Sequence, residues 1–468
     1  MRKIVPAAAL ALLAGCNLAP PHERPALPTA SEYPAESAGG VAPGQRATEI
    51  GWRAFFADPQ LEALIGQALQ RNRDLAVAVA QIEEARGQYR IQRADQLPTL
   101  ATTGDATRSR TPLAAAGIPG ATGSITQTRY SVGVGVTGFE LDFWGRVRNL
   151  SEAARRQYLA TVEAERAFRL SLVRDVASTY LALREASERI ALAEATVQSR
   201  QEGLRIAKRR LDAGVTSALD YRQSETLLTQ AETELAALRL SRSQSENFLG
   251  VLTGGPVPAP LPAPLPLAQQ TQSPALAAGL PSDLLVARPD VLAAEERLRA
   301  ARANIGAARA AFFPSISLTG SLGFASVDLG NLLGSDHLSW SFGPSINLPI
   351  FDFGRNKGNL TVAEARENIA VATYERTVQG AFREVADALA GRRYLAEQVA
   401  AQERGTLATR RIADLARTRY REGVAGYLEV LDAERNLFAA EQALMQLRRA
   451  QADNLVSLYV ALGGGLME

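Results

Sequence analysis

Few side chains in this sequence are equipped for covalent or acid–base chemistry. The chain has one cysteine, Cys16, two histidines, His22 and His337, and three methionines, one of them the initiator. A lone thiol forms no disulfide within one chain and leaves no second sulfur for redox or metal work. Two histidines so far apart build neither a catalytic triad nor a histidine metal site. No Gly-Lys-Ser/Thr phosphate loop occurs, so any energy input must come from a partner. The three methionines trace no path for soft metal ions, which weakens a copper-export reading without excluding it. These absences argue against an enzyme and against a bound cofactor. What remains is a set of acids and arginines at two matching places. The run Arg210-Leu211-Asp212-Ala213-Gly214-Val215-Thr216-Ser217-Ala218-Leu219-Asp220 returns 209 positions later as Arg419-Tyr420-Arg421-Glu422-Gly423-Val424-Ala425-Gly426-Tyr427-Leu428-Glu429. Charges at such places do electrostatic work: they cap helix ends, latch neighbouring helices, or bind cations where several carboxylates meet.

The elements that position these charges are long helices. Each copy ends one extended helical pattern and opens another, with Gly-Val at the bend and a Leu-acid pair starting the return helix. Glycine suits a helix that must stop in a left-handed conformation, and an acid in the next first turn faces a positive helix end. The run therefore describes a tight helical hairpin tip, present twice, and a duplication of the chain.

At 468 residues the chain exceeds the usual single-domain size, and a formal charge of +2 gives no electrostatic case for a nucleic-acid partner. The strongly apolar segment is the start: Arg2-Lys3, then Ile4 to Ala14, then Gly15-Cys16. That is the form of an export signal, too short to span a bilayer. Leu13-Ala14-Gly15-Cys16 resembles the lipobox of bacterial lipoproteins, whose cysteine becomes the acylated first residue. Residues 1–15 are then a signal peptide, 16–50 a lipidated tether, and Asn17 rather than Asp directs the product to the outer membrane. The plainer reading is an ordinary signal that happens to contain a cysteine.

Residues Leu18 to Gln45 are rich in Pro, Ala, Gly and Ser, a tether without a core-forming pattern. Helices are expected from Pro59 to Arg71 and from Asp74 to Gln96. After Pro98 the period changes to two: Tyr130, Val132, Val134 and Val136 alternate with Ser131, Gly133, Gly135 and Thr137, and Thr99 to Arg108 supplies a more polar partner strand. From Arg148 to Leu211 the pattern is helical without a break, and Leu172, Val176, Thr179, Leu183, Ala186, Ile190, Ala193 and Val197 keep coiled-coil spacing over roughly 90 Å. A return helix runs from Leu219 to Leu252. The first repeat thus spans 51–252, and a proline-broken linker, 253–281, separates it from a second, 282–468. There Arg288-Pro289-Asp290-Val291 opens a helix to Phe312, and Pro314 stands 216 positions after Pro98. Two strands follow, Ile316 to Phe324 and Leu338 to Ile350, each with an apolar and a Ser/Thr/Gly face. A long helix to Arg421 and a last one from Tyr427 to Leu462 close the chain.

Four amphipathic strands cannot close a barrel, and open sheet edges are intolerable in lipid. Pooling strands from three chains gives twelve, enough to enclose a water-filled lumen lined by the small polar faces. The alternative is a soluble β-hairpin domain on a coiled-coil stalk, its alternating faces buried in its own core. In functional terms this is a lipid-anchored structural or adhesion scaffold without a conducting lumen.

The order of elements, with Gly279-Leu280-Pro281-Ser282-Asp283-Leu284-Leu285, Arg288-Pro289-Asp290-Val291, the two tips and the lipobox cysteine, resembles the TolC family of outer-membrane efflux proteins, in its OprM/NodT lipoprotein branch. The resemblance covers essentially the whole mature chain. It implies a mixed α and β fold: a homotrimer with a twelve-stranded outer-membrane β-barrel, four strands per chain, continuing into a long periplasmic α-helical barrel. It implies a periplasmic adaptor protein and an inner-membrane pump, commonly of the resistance-nodulation-division class. By the same resemblance, the acids of the periplasmic gate match Glu429 and Asp432, with Asp220 at the equivalent place in the first tip. Arg419, with Arg417 and Arg421, is placed to latch neighbouring helices. Gly214, Val215, Leu219, Gly423, Val424 and Leu428 become the adaptor-contact residues. The plainer roles are helix-end acids matched to the macrodipole, a solvated arginine face, and residues that merely shape the bend.

Overall fold

The computed structural model describes residues 17–33, 44–113, 122–256, 260–272, 274–277 and 281–467. Cys16, the signal segment 1–15 and the Gly279-Leu280 part of the motif lie outside these residues. In chain order the helices and strands are α1 (Trp52–Phe55), α2 (Pro59–Arg71), α3 (Arg73–Ala94), β1 (Leu100–Pro112), β2 (Ser124–Leu141), α4 (Arg146–Asp212), α5 (Ala218–Leu252), α6 (Leu284–Ala287), α7 (Pro289–Ala310), β3 (Ser315–Ser326), β4 (Leu338–Asn347), α8 (Arg355–Arg421) and α9 (Tyr427–Ala461). The duplication is met in length: α4 and α8 have 67 residues each, α5 and α9 have 35 each. At 1.5 Å rise per residue each of the longest helices extends about 100 Å.

Two compact units divide the described residues. Met1–Pro25, Ile82–Thr161 and Ala294–Tyr374 form one, which carries the sheet; Ala26–Gln81, Val162–Ala293 and Glu375–Glu468 form the other, which carries both hairpin tips. Each unit draws segments from both sequence repeats. Of the heptad positions in α4, Leu172, Val176, Ala186, Ile190, Ala193 and Val197 are buried, while Thr179 and Leu183 are half-buried. Ile190, Ala193 and Val197 share one cluster with Leu228, Ala231, Leu235 and Leu238 of α5, so the hairpin closes on an apolar seam of small and branched residues.

The sheet has four antiparallel strands in the order β1-β2-β3-β4. Its register sorts side chains by chemistry. Ile316 faces Ile346, Leu322 faces Trp340 and Phe324 faces Leu338, while Ser317 faces Ser345 and Ser321 faces Ser341. The serine pairs hydrogen-bond across the strands at 2.6 and 2.7 Å. The apolar face is not a core: Trp340 is 73% exposed, and Leu322, Phe342 and Ile346 are exposed with it. A soluble domain that buries this face in itself is therefore excluded. β2 is longer than the sequence suggests, starting at Ser124 and ending at Leu141. Its register against β3 shifts between Val136 and Phe139, where Gly138 adopts φ +69°. That bulge has a purpose legible in the side chains. From Tyr130 to Val136 apolar residues occupy even positions, at Phe139 and Leu141 odd ones, and the extra residue keeps both sets on one face.

Neither the tether nor the linker is a bare spacer. Asp58, buried ahead of α2, accepts from Gln60 N at 2.8 Å, Tyr180 Oη at 2.6 Å and Leu265 N at 3.0 Å, tying the proline-rich stretch to α4. Leu267 and Leu276 are buried, and Gln45 pairs with Leu276 in a parallel bridge. Sequence composition hides this because the docking uses backbone groups and isolated leucines rather than a periodic pattern.

Candidate functional site

The two hairpin tips share a backbone device. In the first, Gly214 sits at φ +70°, Val215 N donates to Arg210 O at 2.9 Å and Gly214 N to Leu211 O at 2.9 Å. In the second, Gly423 sits at φ +73°, Val424 N donates to Arg419 O at 2.9 Å and Gly423 N to Tyr420 O at 3.1 Å. This paired closure satisfies the last carbonyls of each long helix and needs a left-handed residue, which glycine adopts without a Cβ penalty. Such closures often bury the residue after the glycine. Here Val215 is 66% and Val424 69% exposed, and the first leucines of the return helices, Leu219 and Leu428, are 65% and 50% exposed. Each tip thus presents an equivalent Val/Leu pair to solvent.

The acids differ. Ser217 caps α5 and accepts from Asp220 N at 3.2 Å, while the Asp220 carboxylate takes Thr216 Oγ1 at 2.5 Å and Ser217 N at 3.5 Å. The Thr216 hydroxyl, with Ser217 and Arg210 behind it, holds the Asp220 carboxyl below the usual carboxylate range. The second tip has Ala425-Gly426 where the first has Thr216-Ser217, and Gly426 caps α9 with no side chain. Without hydroxyls to engage, Glu429 accepts from Arg419 Nη1 at 2.9 Å instead, with both side chains about half exposed. Asp432 pairs with Arg435 on its own helix at 2.8 Å. Arg417 bridges Glu434 at 3.0 Å and Asp414 at 3.3 Å, and Arg421 reaches Thr418 Oγ1 at 3.3 Å. The structure therefore brings Arg419 and Glu429 together, commits Asp220 to a cap, and keeps Asp432 apart from both.

Sequence reasoning missed the aromatic clasp between the hairpins. Arg210 of α4 hydrogen-bonds the Tyr420 hydroxyl and lies 5.5 Å from that ring's centroid, while Tyr420 and Tyr427 pack at 5.0 Å. Tyr427 lies over Gly203, where a Cβ would stand 2.7 Å from its hydroxyl oxygen, and burial raises the Tyr427 phenol above its ordinary value. Under the rings a cluster of Ala413, Ala416, Val430 and Ala433 holds α8 to α9. The available signal was a glycine inside a helical pattern, seven residues ahead of the first tip, and the tyrosines Tyr420 and Tyr427 in the second. Among the described residues no helix is long and apolar enough to cross a membrane, and no group of three or more His, Cys, Asp and Glu is placed to hold a metal ion.

Comparison with known proteins places this geometry. The family model described as outer membrane efflux protein matches residues 64–255 and 280–464, one span for each sequence repeat. The chain is 44% identical to the solvent efflux pump outer membrane protein SrpC of Pseudomonas putida, covering 99% of this chain and 98% of that one. It is 41% identical to the cation efflux system protein CusC of Escherichia coli K12, covering 99% of each. Its fold matches the open state of the Neisseria gonorrhoeae MtrE outer membrane channel with a TM-score of 0.86 and 41% identity, over 96% of this chain and 99% of that one. These relatives are efflux channels, and the scaffold reading finds no support among them. With its amphipathic four-stranded sheet, its paired helical hairpins and these likenesses over nearly its whole length, the chain belongs to the outer membrane efflux protein family and is an outer-membrane channel of that kind.

Proposed function

We propose that three copies of this chain assemble into one exit duct, which works with a periplasmic adaptor and an inner-membrane pump of the resistance-nodulation-division class. The observation that carries this reading is the sheet. The outer edges of β1 and β4 meet no strand among the described residues, and across β3 and β4 one face is apolar and largely exposed while the other is mostly serine, threonine and glycine. Such edges are not tolerated in lipid, and three sheets joined β4 to β1 give a closed twelve-stranded barrel with a polar lumen. Acyl chains on Cys16 add a second hold on the outer-membrane lipid.

At the hairpin tips, the exposed Val215, Leu219, Val424 and Leu428, with Gly214 and Gly423 shaping the bends, form the adaptor contact. Glu429 and Asp432 from three copies gather around the threefold axis, where like charges repel and favour bound cations. Arg419 sets the position of Glu429; Asp220 serves the fold. The duct supplies no energy. Its cargo is small molecules such as drugs, chosen upstream by the pump, in keeping with relatives named for solvents and for cations.

A panel of cysteine pairs, one in β1 and one in β4, tests the assembly. Oxidation is expected to give covalent trimers at one register along the strands. Absence of any cross-linked trimer across the whole panel, in folded protein, contradicts it.

A further inference from the structure

The stretch after Cys16 is a strap bound to a helix. Arg309 of α7 donates to the Leu18 carbonyl at 3.3 Å, and a Cβ on Gly306 would stand 2.6 Å from Asn149 Nδ2 and 2.8 Å from Ala19, so the helix is bare where α4 and the strap both approach it. Further along, the buried carboxylate of Glu295 accepts from Arg24 at 2.9 Å and from Arg299 at 2.6 Å, and meets His22 Nε2 at 3.1 Å. On the other side of the ring Arg302 Nη1 lies 3.0 Å from His22 Nδ1, and it also donates to the Glu23 carbonyl at 2.7 Å. Arg302 is itself held by Glu367 of α8 at 2.8 Å.

These contacts define a protonation state. Arginine has donors and no acceptor, so the nitrogen facing Arg302 carries a lone pair, and Nε2 carries the proton donated to Glu295. The ring is neutral when the strap is docked. We propose that His22 is the release catch of this strap: neutral, it joins Glu295 to Arg302 and holds residues 18–24 on α7; protonated, it lets them lift away.

A second proton would sit on Nδ1 and point at the Arg302 guanidinium, replacing a hydrogen bond by the contact of two cations. The surroundings do not absorb that charge. Arg24, Arg299 and Arg302 face the ring's neighbourhood against Glu295 and Glu367, while Glu296 is already shared by Arg299 at 2.6 Å and Arg156 at 3.2 Å. Tyr374 of α8 adds a neutral phenol near Glu295. Burial, Arg299 and Arg302 accordingly hold His22 below its ordinary value, outweighing the pull of Glu295. A depressed docked pKa means that docking is strongest above the released value of about 6.5 and weakens as pH falls through and below it. The segment joining Cys16 to the body then gains slack in acid.

A nitroxide on Glu23→Cys in the mature full chain reads the strap directly, with the parent protein as the labelling blank. The wild-type ring is expected to give an immobilised spectrum at about pH 7.5 and a severalfold larger mobile fraction at about pH 5.0. His22→Gln, which cannot titrate, is expected to lose the transition, and His22→Lys to be mobile at both values. A spectrum unchanged between the two conditions, or the same transition in H22Q, overturns the proposal.

Discussion

Asp220 and Glu429 stand at equivalent places in the two repeats, yet their neighbours give them different work. Thr216 and Ser217 draw Asp220 into the first turn of α5, whereas Ala425 and Gly426 leave Glu429 to Arg419. Asp220→Ala is therefore expected to cost about 1 kcal/mol of stability, a typical cap, without changing channel current. Glu429→Ala is expected to cost little stability, since exposed ion pairs contribute about 0–1 kcal/mol, and to act on current instead. Denaturation midpoints beside conductance separate the two. The pH sign follows from the depressed Asp220 carboxyl: its contribution is present above the ordinary value of about 3.9 and is lost as pH falls through its lower folded value. The D220A and wild-type melting curves should converge in strong acid and not at pH 5; convergence already at pH 5 would count against the cap.

Among the elements, the clasp at Gly203 makes the clearest demand. A Cβ there meets the Tyr427 hydroxyl at 2.7 Å, so Gly203→Ala should displace Tyr427, loosen the contact between the hairpins and raise the rate of channel opening. An unchanged opening rate would mean that the rings only fill space. This clasp also marks what the sequence could and could not disclose. Helix and strand existence was legible because the periods are long and repeated: the ends of α2, β3 and α9 fall within a few residues of their expected places, and the heptads of α4 mark its buried seam. The exposed Val/Leu pairs at the tips were legible as residues, since Gly-Val and Leu-acid recur at one spacing. The parity reversal in β2 was present in the letters but needs the β3 register to become a bulge. The docking of the linker through Asp58, the strap on α7 and the Arg210–Tyr420 contact were not legible, because each joins residues more than a hundred positions apart with no periodic signature.

For the whole molecule, the assignment of the sheet's faces is open to a paired substitution. Trp340 points to the apolar exposed face and Ser341 to the serine ladder. Trp340→Arg should impair insertion, at a cost of about 2–4 kcal/mol for an arginine facing mid-membrane lipid, while Ser341→Arg should insert and alter ion preference. The reverse pattern would exchange lumen and lipid. The central claim, a duct closed at its hairpin tips by carboxylates, is tested most directly by planar-bilayer conductance of the purified mature protein beside Glu429→Ala with Asp432→Ala. A small cation-preferring current in the wild type that grows and loses its preference in the double variant is the expected result. Two folded, trimeric proteins with identical currents, or with none, would contradict it.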